Sequence, residues 1–291
     1  MHVLHGPWPA RAAWALLPLL MGAALGDALG EHSLAVARTA AVLAWGTWVA
    51  VLIAVLLPRT VSLTALRIAA PAALAAANWA ALAGDPDLTD AAAVVGAALV
   101  VVAAFSPLTG QTFVNGSAYG DEVRLPLRVP TPLVLGPVPL AWMAAVAGPV
   151  AGPLLLAARQ WAAGVVVLAA GLPLSAAAAR ALHGMARRWV VLVPAGLVLH
   201  DEQALVEAVL FPRGTIRRLG PAPADAVDLA MDLTRQAVGL VLQLELTEPA
   251  VVSPRRADKT VQVESVDRLL FTPTRPGAVL AAAAGHRIPI G

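Results

Sequence analysis

Cysteine is absent from the 291 residues, which excludes disulfides, thiolate metal sites and cysteine nucleophiles at once. Charge is scarce: 13% of residues are charged against 59% hydrophobic, a balance foreign to soluble globular chains and usual for membrane proteins. Lysine occurs once, at Lys259, and tyrosine once, at Tyr119. Beside abundant Ala, Val, Leu, Pro and Arg, the single lysine is the residue usage of a high-GC bacterial genome. No basic stripe interleaved with aromatics appears, and the net charge is only +2, so no nucleic-acid partner is expected. There is no H-E-x-x-H, no Walker loop and no G-x-S-x-G, and His2, His5, His32, His183, His200 and His286 are scattered singly. Reaction chemistry is the least favoured class, and neither a metal nor a cofactor is expected.

Six apolar runs, roughly 10–29, 37–57, 62–83, 90–106, 133–157 and 161–182, come close to or exceed the roughly 20 residues a helix needs to cross a bilayer. The first shares the layout of a signal peptide, with Arg11 ahead of an apolar stretch from Ala12 to Leu25, but that stretch continues into a further turn and reads better as a span. Basic residues collect on the cytoplasmic side of bacterial membranes. With the N-terminus inside, the inner segments hold Arg11, Arg59, Arg67, Arg124, Arg128, Arg180, Arg187 and Arg188, and the outer loops hold only Arg38 and Arg159. The expectation is a multi-pass protein of the bacterial inner membrane with both termini in the cytoplasm.

Charge separates the two parts of the chain. Residues 1–186 carry eight Arg and seven acids, and residues 187–291 carry twelve basic residues and eleven acids. The seam is Arg180–Trp189. An α-helical membrane domain of six transmembrane helices over 1–186 is therefore expected, followed by a small, mostly-β cytoplasmic domain over 187–291.

Within the membrane half, Gly22, Gly26 and Gly30 clear one face of the first span and predict close approach of a neighbouring helix, as do Gly148 and Gly152. Pro137, Pro139, Pro149 and Pro153 each remove a backbone donor and predict a kinked or broken fifth span, a feature that transport sites use. Asp27, Glu31, Asp85, Asp87 and Asp90 form an outer acidic rim, with Asp90 expected to cap the fourth helix. Asn78 is the main polar residue deep in a span and needs a partner. Between the fourth and fifth spans lies Pro107–Pro132, where Asn115-Gly116 predicts a hairpin from Thr112 to Tyr119. Asn115, Tyr119, Asp121, Glu122 and Arg124 are the candidate binding or docking residues. Arg59, Arg67, Arg128, Arg187 and Arg188 are candidate inner-leaflet anchors, each worth about 1 kcal/mol against anionic headgroups.

From Trp189 the pattern changes to strands: 189–193 and 197–200 around Pro194-Ala195-Gly196, then 208–211 and 215–219 around Pro212-Arg213-Gly214, each pair predicted as a hairpin. A short helix is expected over Ala224–Gln236, strands over Gly239–Thr247, Thr260–Glu264 and Arg268–Phe271, and a closing helix from Thr274 or Pro276 to Ala284. The runs 193–200, 211–219 and 270–277, in a module of about seven strands ended by one helix, resemble the pleckstrin-homology-like (PH-like) domains of bacterial membrane proteins. The membrane half resembles uncharacterised polytopic proteins of actinobacteria in composition and layout. This resemblance implies an open barrel plugged by its C-terminal helix. Phosphoinositide-binding members use basic residues in the first hairpin, whereas Pro194-Ala195-Gly196 has none; Arg213, Arg217, Arg218, Arg255, Arg256 and Lys259 read as a solvated or membrane-facing surface.

The functional expectation is an integral membrane protein presenting a PH-like adaptor or sensor domain at the membrane surface, with the lipid bilayer and a protein as partners. A transporter or channel, or a membrane enzyme of lipid or envelope metabolism, are the alternatives.

Overall fold

The structure, a computed structural model, describes residues 7–223, 226, 230–255 and 263–291. The chain forms two compact units. One gathers the chain up to Phe113 with Pro139–His183; the other gathers Val114–Val138 with Gly184–Gly291. Val114–Val138, counted with the membrane half from sequence, therefore belongs by its contacts to the C-terminal unit.

The first unit holds α1 (Trp8–Gly30), α2 (Leu34–Leu56), α3 (Thr60–Ala83), α4 (Leu88–Phe105), most of the short α5 (Pro107–Asn115), α7 (Pro137–Ala157) and α8 (Trp161–Ala186), the last two leaving short ends outside it. Between them in sequence lies the five-residue α6 (Thr131–Leu135), which goes with the second unit. Six of these helices are long and apolar enough to cross a membrane. Leu19, Leu82 and Leu88 are each at least 80% exposed on them, a surface that lipid covers and water does not tolerate in such numbers.

Local chemistry sets the helix ends. Ser33 caps α2 by accepting the Val36 N–H. At α4 the N-cap is Asp87 rather than Asp90: Asp87 accepts the N–H groups of Thr89 and Asp90, and the Asp90 carboxylate accepts the Asp87 N–H in a closed capping box. Asp90 is the third residue of the helix and supplies the return bond.

The prolines do not break the spans. Proline at position i leaves the carbonyl of i−4 without its helical donor, and a neighbouring helix has to supply one. Pro18 frees the Trp14 carbonyl, which accepts the Trp48 indole N–H at 3.0 Å; the reciprocal Trp14 N–H donates to the Trp48 carbonyl, also at 3.0 Å. Pro149 frees the Ala145 carbonyl, which accepts the Ser175 hydroxyl from α8 at 2.6 Å. α7 is helical throughout Pro137–Ala157, Pro149 and Pro153 included; within the expected span the helix is interrupted ahead of Pro137, where Gly136 separates it from α6.

Gly148 serves the expected purpose. A methyl group there would lie 2.6 Å from the backbone of Gly171, so the two glycines allow α7 and α8 to touch main chain to main chain. Gly22, Gly26 and Gly30 do not: among the described residues nothing from a neighbouring element lies within 4 Å of the space their side chains would fill. Asn78 satisfies itself, donating to the Leu74 carbonyl one turn back in its own helix.

In the second unit, β1 (Val123–Pro126), β2 (Arg188–Val193), β3 (Gly196–Asp201) and β4 (Val209–Pro212) form an antiparallel sheet in that order. A second sheet has the order β5-β7-β8-β6, from β5 (Ile216–Pro221), β6 (Met231–Asp232), β7 (Leu242–Val252) and β8 (Glu264–Phe271). The sheets do not close into a barrel. Leu125, Val190, Leu192, Leu199, Phe211, Leu244 and Phe271 fill the core between them, with Val279 and Ala283 of α9 (Pro276–Gly285) fully buried against it. That helix starts at Arg275 without a side-chain cap, because the Thr274 hydroxyl donates instead to the Pro126 carbonyl.

Three sequence expectations change here. Thr112–Asn115 is the end of α5, so Asn115-Gly116 ends a helix and no hairpin forms. Pro212-Arg213-Gly214 is a corner: a 3-10 turn over Arg213–Thr215 carries the chain from β4 in one sheet to β5 in the other, tied by the Arg213 N–H donating to the Ala195 carbonyl. Glu264–Phe271 is one strand where two were expected, and Met231–Asp232 adds a parallel partner to it. Residues 224, 225 and 227–229 of the expected helix, residues 260–262 of the expected strand, and Arg256 and Lys259 lie outside the described residues.

Candidate functional site

The loop after α5 is organised by Asn115. Its side-chain amide donates to the Arg124 carbonyl at 2.6 Å and its amide oxygen accepts the Arg124 N–H at 2.8 Å, so one side chain occupies the hydrogen-bonding position of a neighbouring strand at the start of β1. Between them the chain turns back through Gly120 at φ 60°, a left-handed conformation that glycine adopts without strain. Glu122 closes the loop, accepting the Tyr119 N–H and a two-pronged bond from the Arg124 guanidinium at 2.7 and 3.2 Å. The Arg124 hydrogen bond, set against partial desolvation, holds the Glu122 carboxyl below its ordinary range. Tyr119 is 90% exposed, and the Asp121 carbonyl lies 3.1 Å from His286 Nε2.

Arg124 leads onto the outward face of the first sheet. Its guanidinium lies 5.7 Å from the Trp189 ring centroid, and Trp189 stacks on His200 with centroids 4.8 Å apart and planes 17° from parallel. His200 Nε2 is 3.9 Å from Glu202, which pairs with Arg187 at 2.8 Å. The result is a continuous row: Glu122, Arg124, Trp189, His200, Glu202, Arg187. Burial pushes the His200 pKa down and outweighs the opposing pull of Glu202 and Asp201; Arg187 and Arg124 push it the same way as burial. Its Nε2 is buried with no hydrogen-bond partner.

Behind the row, on the core side of the same hairpin, Arg188 donates two bonds of 2.7 Å to Asp201, with side chains 1% and 0% exposed. A third guanidinium bond goes to the Arg128 carbonyl at 2.7 Å. Alternation along β2 explains the split: Val190 and Leu192 point into the core, Arg188 points with them, and Trp189 points out.

The ten singled-out positions therefore divide. Asn115, Glu122, Arg124 and Arg187 are brought together on this structure; Tyr119 and Asp121 stand on its loop. Arg59 and Arg128 are exposed. Arg188 is not an anchor, because it is spent entirely inside the protein. Arg67 is half-buried and donates to the Ala104 carbonyl at 3.2 Å. Trp189, His200 and Glu202 were missed, although the two-residue turn at Pro194-Ala195 sets Val193 opposite Gly196 and so Trp189 opposite His200.

Chemically, the row offers recognition more than reaction. Its charged groups are mutually paired: Glu202, 3.9 Å from His200 Nε2, is already held by Arg187. Among the described residues no group of three His, Asp or Glu is placed to hold a metal ion, and the acids Asp87 and Asp90 are spent in the capping box. No family model, curated protein or solved structure matches the chain.

Proposed function

We propose that the chain is a multi-pass membrane protein whose C-terminal unit is a PH-like adaptor or sensor module on the cytoplasmic side, as in proteins of actinobacterial type. The observation that carries this reading is the origin of β1. Its four residues come from the connection between α4 and α7, yet they pair with β2 in the register Leu125 opposite Val190. The polypeptide therefore passes between the helical unit and the β unit three times, after Phe113, Val138 and His183. A tethered passenger domain needs one such passage. Three, with a strand built from one of them, favour a module whose state responds to the helices.

The PH-like assignment draws on the two four-stranded sheets and the closing helix. The cytoplasmic orientation draws on the excess of arginine at the ends of the helices that lead to this unit. The groups on offer to a partner are the exposed Tyr119 and, at the far end of the row, Arg187 and Glu202, with the buried Trp189 supporting the row between them.

A photo-reactive residue in place of Tyr119, in cells expressing the full chain, is expected to give one discrete protein adduct, lost when Trp189→Ala is added. Absence of any adduct, or one indifferent to Trp189→Ala, refutes the adaptor reading.

A further inference from the structure

Two arginines hold the ends of neighbouring helices in the same way. Arg11 of α1 donates from Nε to the Val55 carbonyl at 2.9 Å and from Nη2 to the Leu56 carbonyl at 3.3 Å, at the C-terminal end of α2, with Trp8 against its guanidinium at 5.7 Å. Arg67 of α3 donates to the Ala104 carbonyl in the last turn of α4, with Phe105 at 5.4 Å. Both match a positive group to the negative end of a helix. The difference lies in what is left over. The fork of Arg11 has two acceptors, whereas Nε is the only guanidinium nitrogen of Arg67 with a protein acceptor among the described residues.

Among the described residues no carboxylate is paired with Arg67. The acids of this unit, Asp27, Glu31, Asp85, Asp87 and Asp90, all lie on or beside the α1–α2 and α3–α4 connections. Arg11, Arg59 and Arg67 lie at the opposite helix ends, and the 2.9 Å hydrogen bond between Thr64 and His183 brings the C-terminal part of α8 to that same end. Arg67 sits seven residues inside α3, roughly 10 Å along its axis. Held to Ala104 and Phe105, it cannot extend toward water as a free arginine in a span does. Its partner has to come to it. Because α4 is long and apolar enough to span and ends at Phe105, the guanidinium lies at the end of a candidate span. On the side of Gly110 the guanidinium packs against bare backbone: a methyl group there would stand only 3.1 Å from Nη2.

We propose that Arg67 is the receptor for the phosphate of one anionic phospholipid headgroup, bound by the two Nη groups left without a protein acceptor among the described residues. A guanidinium fork matches phosphate oxygens in pairs, and Phe105 fixes the plane of the fork. The site lies wholly in the helical unit and does not depend on the adaptor reading.

The full chain, eluted in micelles containing equal phosphatidylglycerol and phosphatidylcholine, can be weighed intact by native mass spectrometry. Wild type is expected to retain one phosphatidylglycerol in preference to phosphatidylcholine. Arg67→Gln should lower that preference about fivefold, the worth of one guanidinium–headgroup contact. Gly110→Leu, whose side chain would crowd Nη2 out of its position while keeping the charge, should do the same and decides the matter if Arg67→Gln does not fold. Arg38→Gln, at an exposed arginine near the α1–α2 connection, should retain the lipid. The proposal is overturned if both variants keep the wild-type preference, or if wild type holds the two lipids equally. It is overturned too if inorganic phosphate alone stabilises wild type, but not Arg67→Gln, in phosphatidylcholine, since the ligand is then free phosphate.

Discussion

Arg188 and Asp201 are the residues whose environment most exceeds what their chemistry suggests. An exposed pair such as Arg187 with Glu202 contributes about 0–1 kcal/mol, because water and salt screen it. The Arg188–Asp201 pair is sealed from solvent, so losing one partner strands a charge in the core. Arg188→Met and Asp201→Asn are each expected to destabilise the folded β unit by about 3–5 kcal/mol, whereas the double replacement Arg188→Met with Asp201→Leu should lie much closer to wild type. Denaturant unfolding of the full chain in lipid discs, followed by hydrogen exchange in β2 and β3, measures this. A double variant as unstable as the singles would mean that the pair specifies packing beyond its charges. His200 on the other face gives a pH-dependent counterpart. Burial lowers its pKa below the ordinary 6.5, so the folded state disfavours the proton that the unfolded chain accepts. Its contribution to stability is complete above pH 6.5 and is lost as pH falls below that value toward the folded pKa. The unfolding temperature should drop between pH 7.5 and 5.5, and His200→Gln should make that drop smaller; an unchanged pH dependence would remove His200 as its source.

At the scale of elements, a proline in a span is tolerated when a neighbour replaces its missing donor. Ser175→Ala should leave the Ala145 carbonyl unsatisfied and weaken the α7–α8 hairpin by about 1 kcal/mol. In a Pro149→Ala background, where the helix again supplies its own N–H to that carbonyl, the same serine change should cost about nothing. A thermal-unfolding cycle of the four proteins reads the difference, and equal serine effects in both backgrounds would contradict the account. The proline was plain in the sequence; the serine was not, because pairing across two helices depends on rotation and depth that composition does not fix. The spans themselves were legible, since length and hydropathy decide them one helix at a time. The same locality misled at Asn115-Gly116 and Pro212-Arg213-Gly214. Both are good turn sequences, but whether a turn joins paired strands or changes sheets depends on partners far away: Arg124 for the first, Ala195 and Leu246 for the second. The β2–β3 hairpin shows what could have been read. Once Val193 faces Gly196, Arg188 must face Asp201 and Trp189 must face His200, one pair on each side of the sheet.

For the whole molecule, the governing fact is that the β unit is assembled from two stretches of chain separated by α7 and most of α8. The sequence seam at Arg180–Trp189 marks where composition changes, and composition has no means of showing that Val123–Pro126 completes a sheet more than sixty positions downstream. The energetics make that strand decisive. Leu125 and Leu127 are 2% and 5% exposed, and burying two leucines contributes about 3–6 kcal/mol. A small domain holds in reserve only about 5–15 kcal/mol in total, so losing them consumes most of it and uncovers the β2 edge as well. Gly184–Gly291 expressed alone is therefore expected to aggregate or to unfold without a cooperative transition. Val114–Val138 joined to it by a flexible linker should restore one sharp transition and slow hydrogen exchange at Val190 and Leu192. If Gly184–Gly291 alone melts cooperatively at the temperature of the joined protein, β1 is dispensable to the fold. The three chain passages would then be connections only, and the case for a module that responds to the membrane helices would lose its foundation.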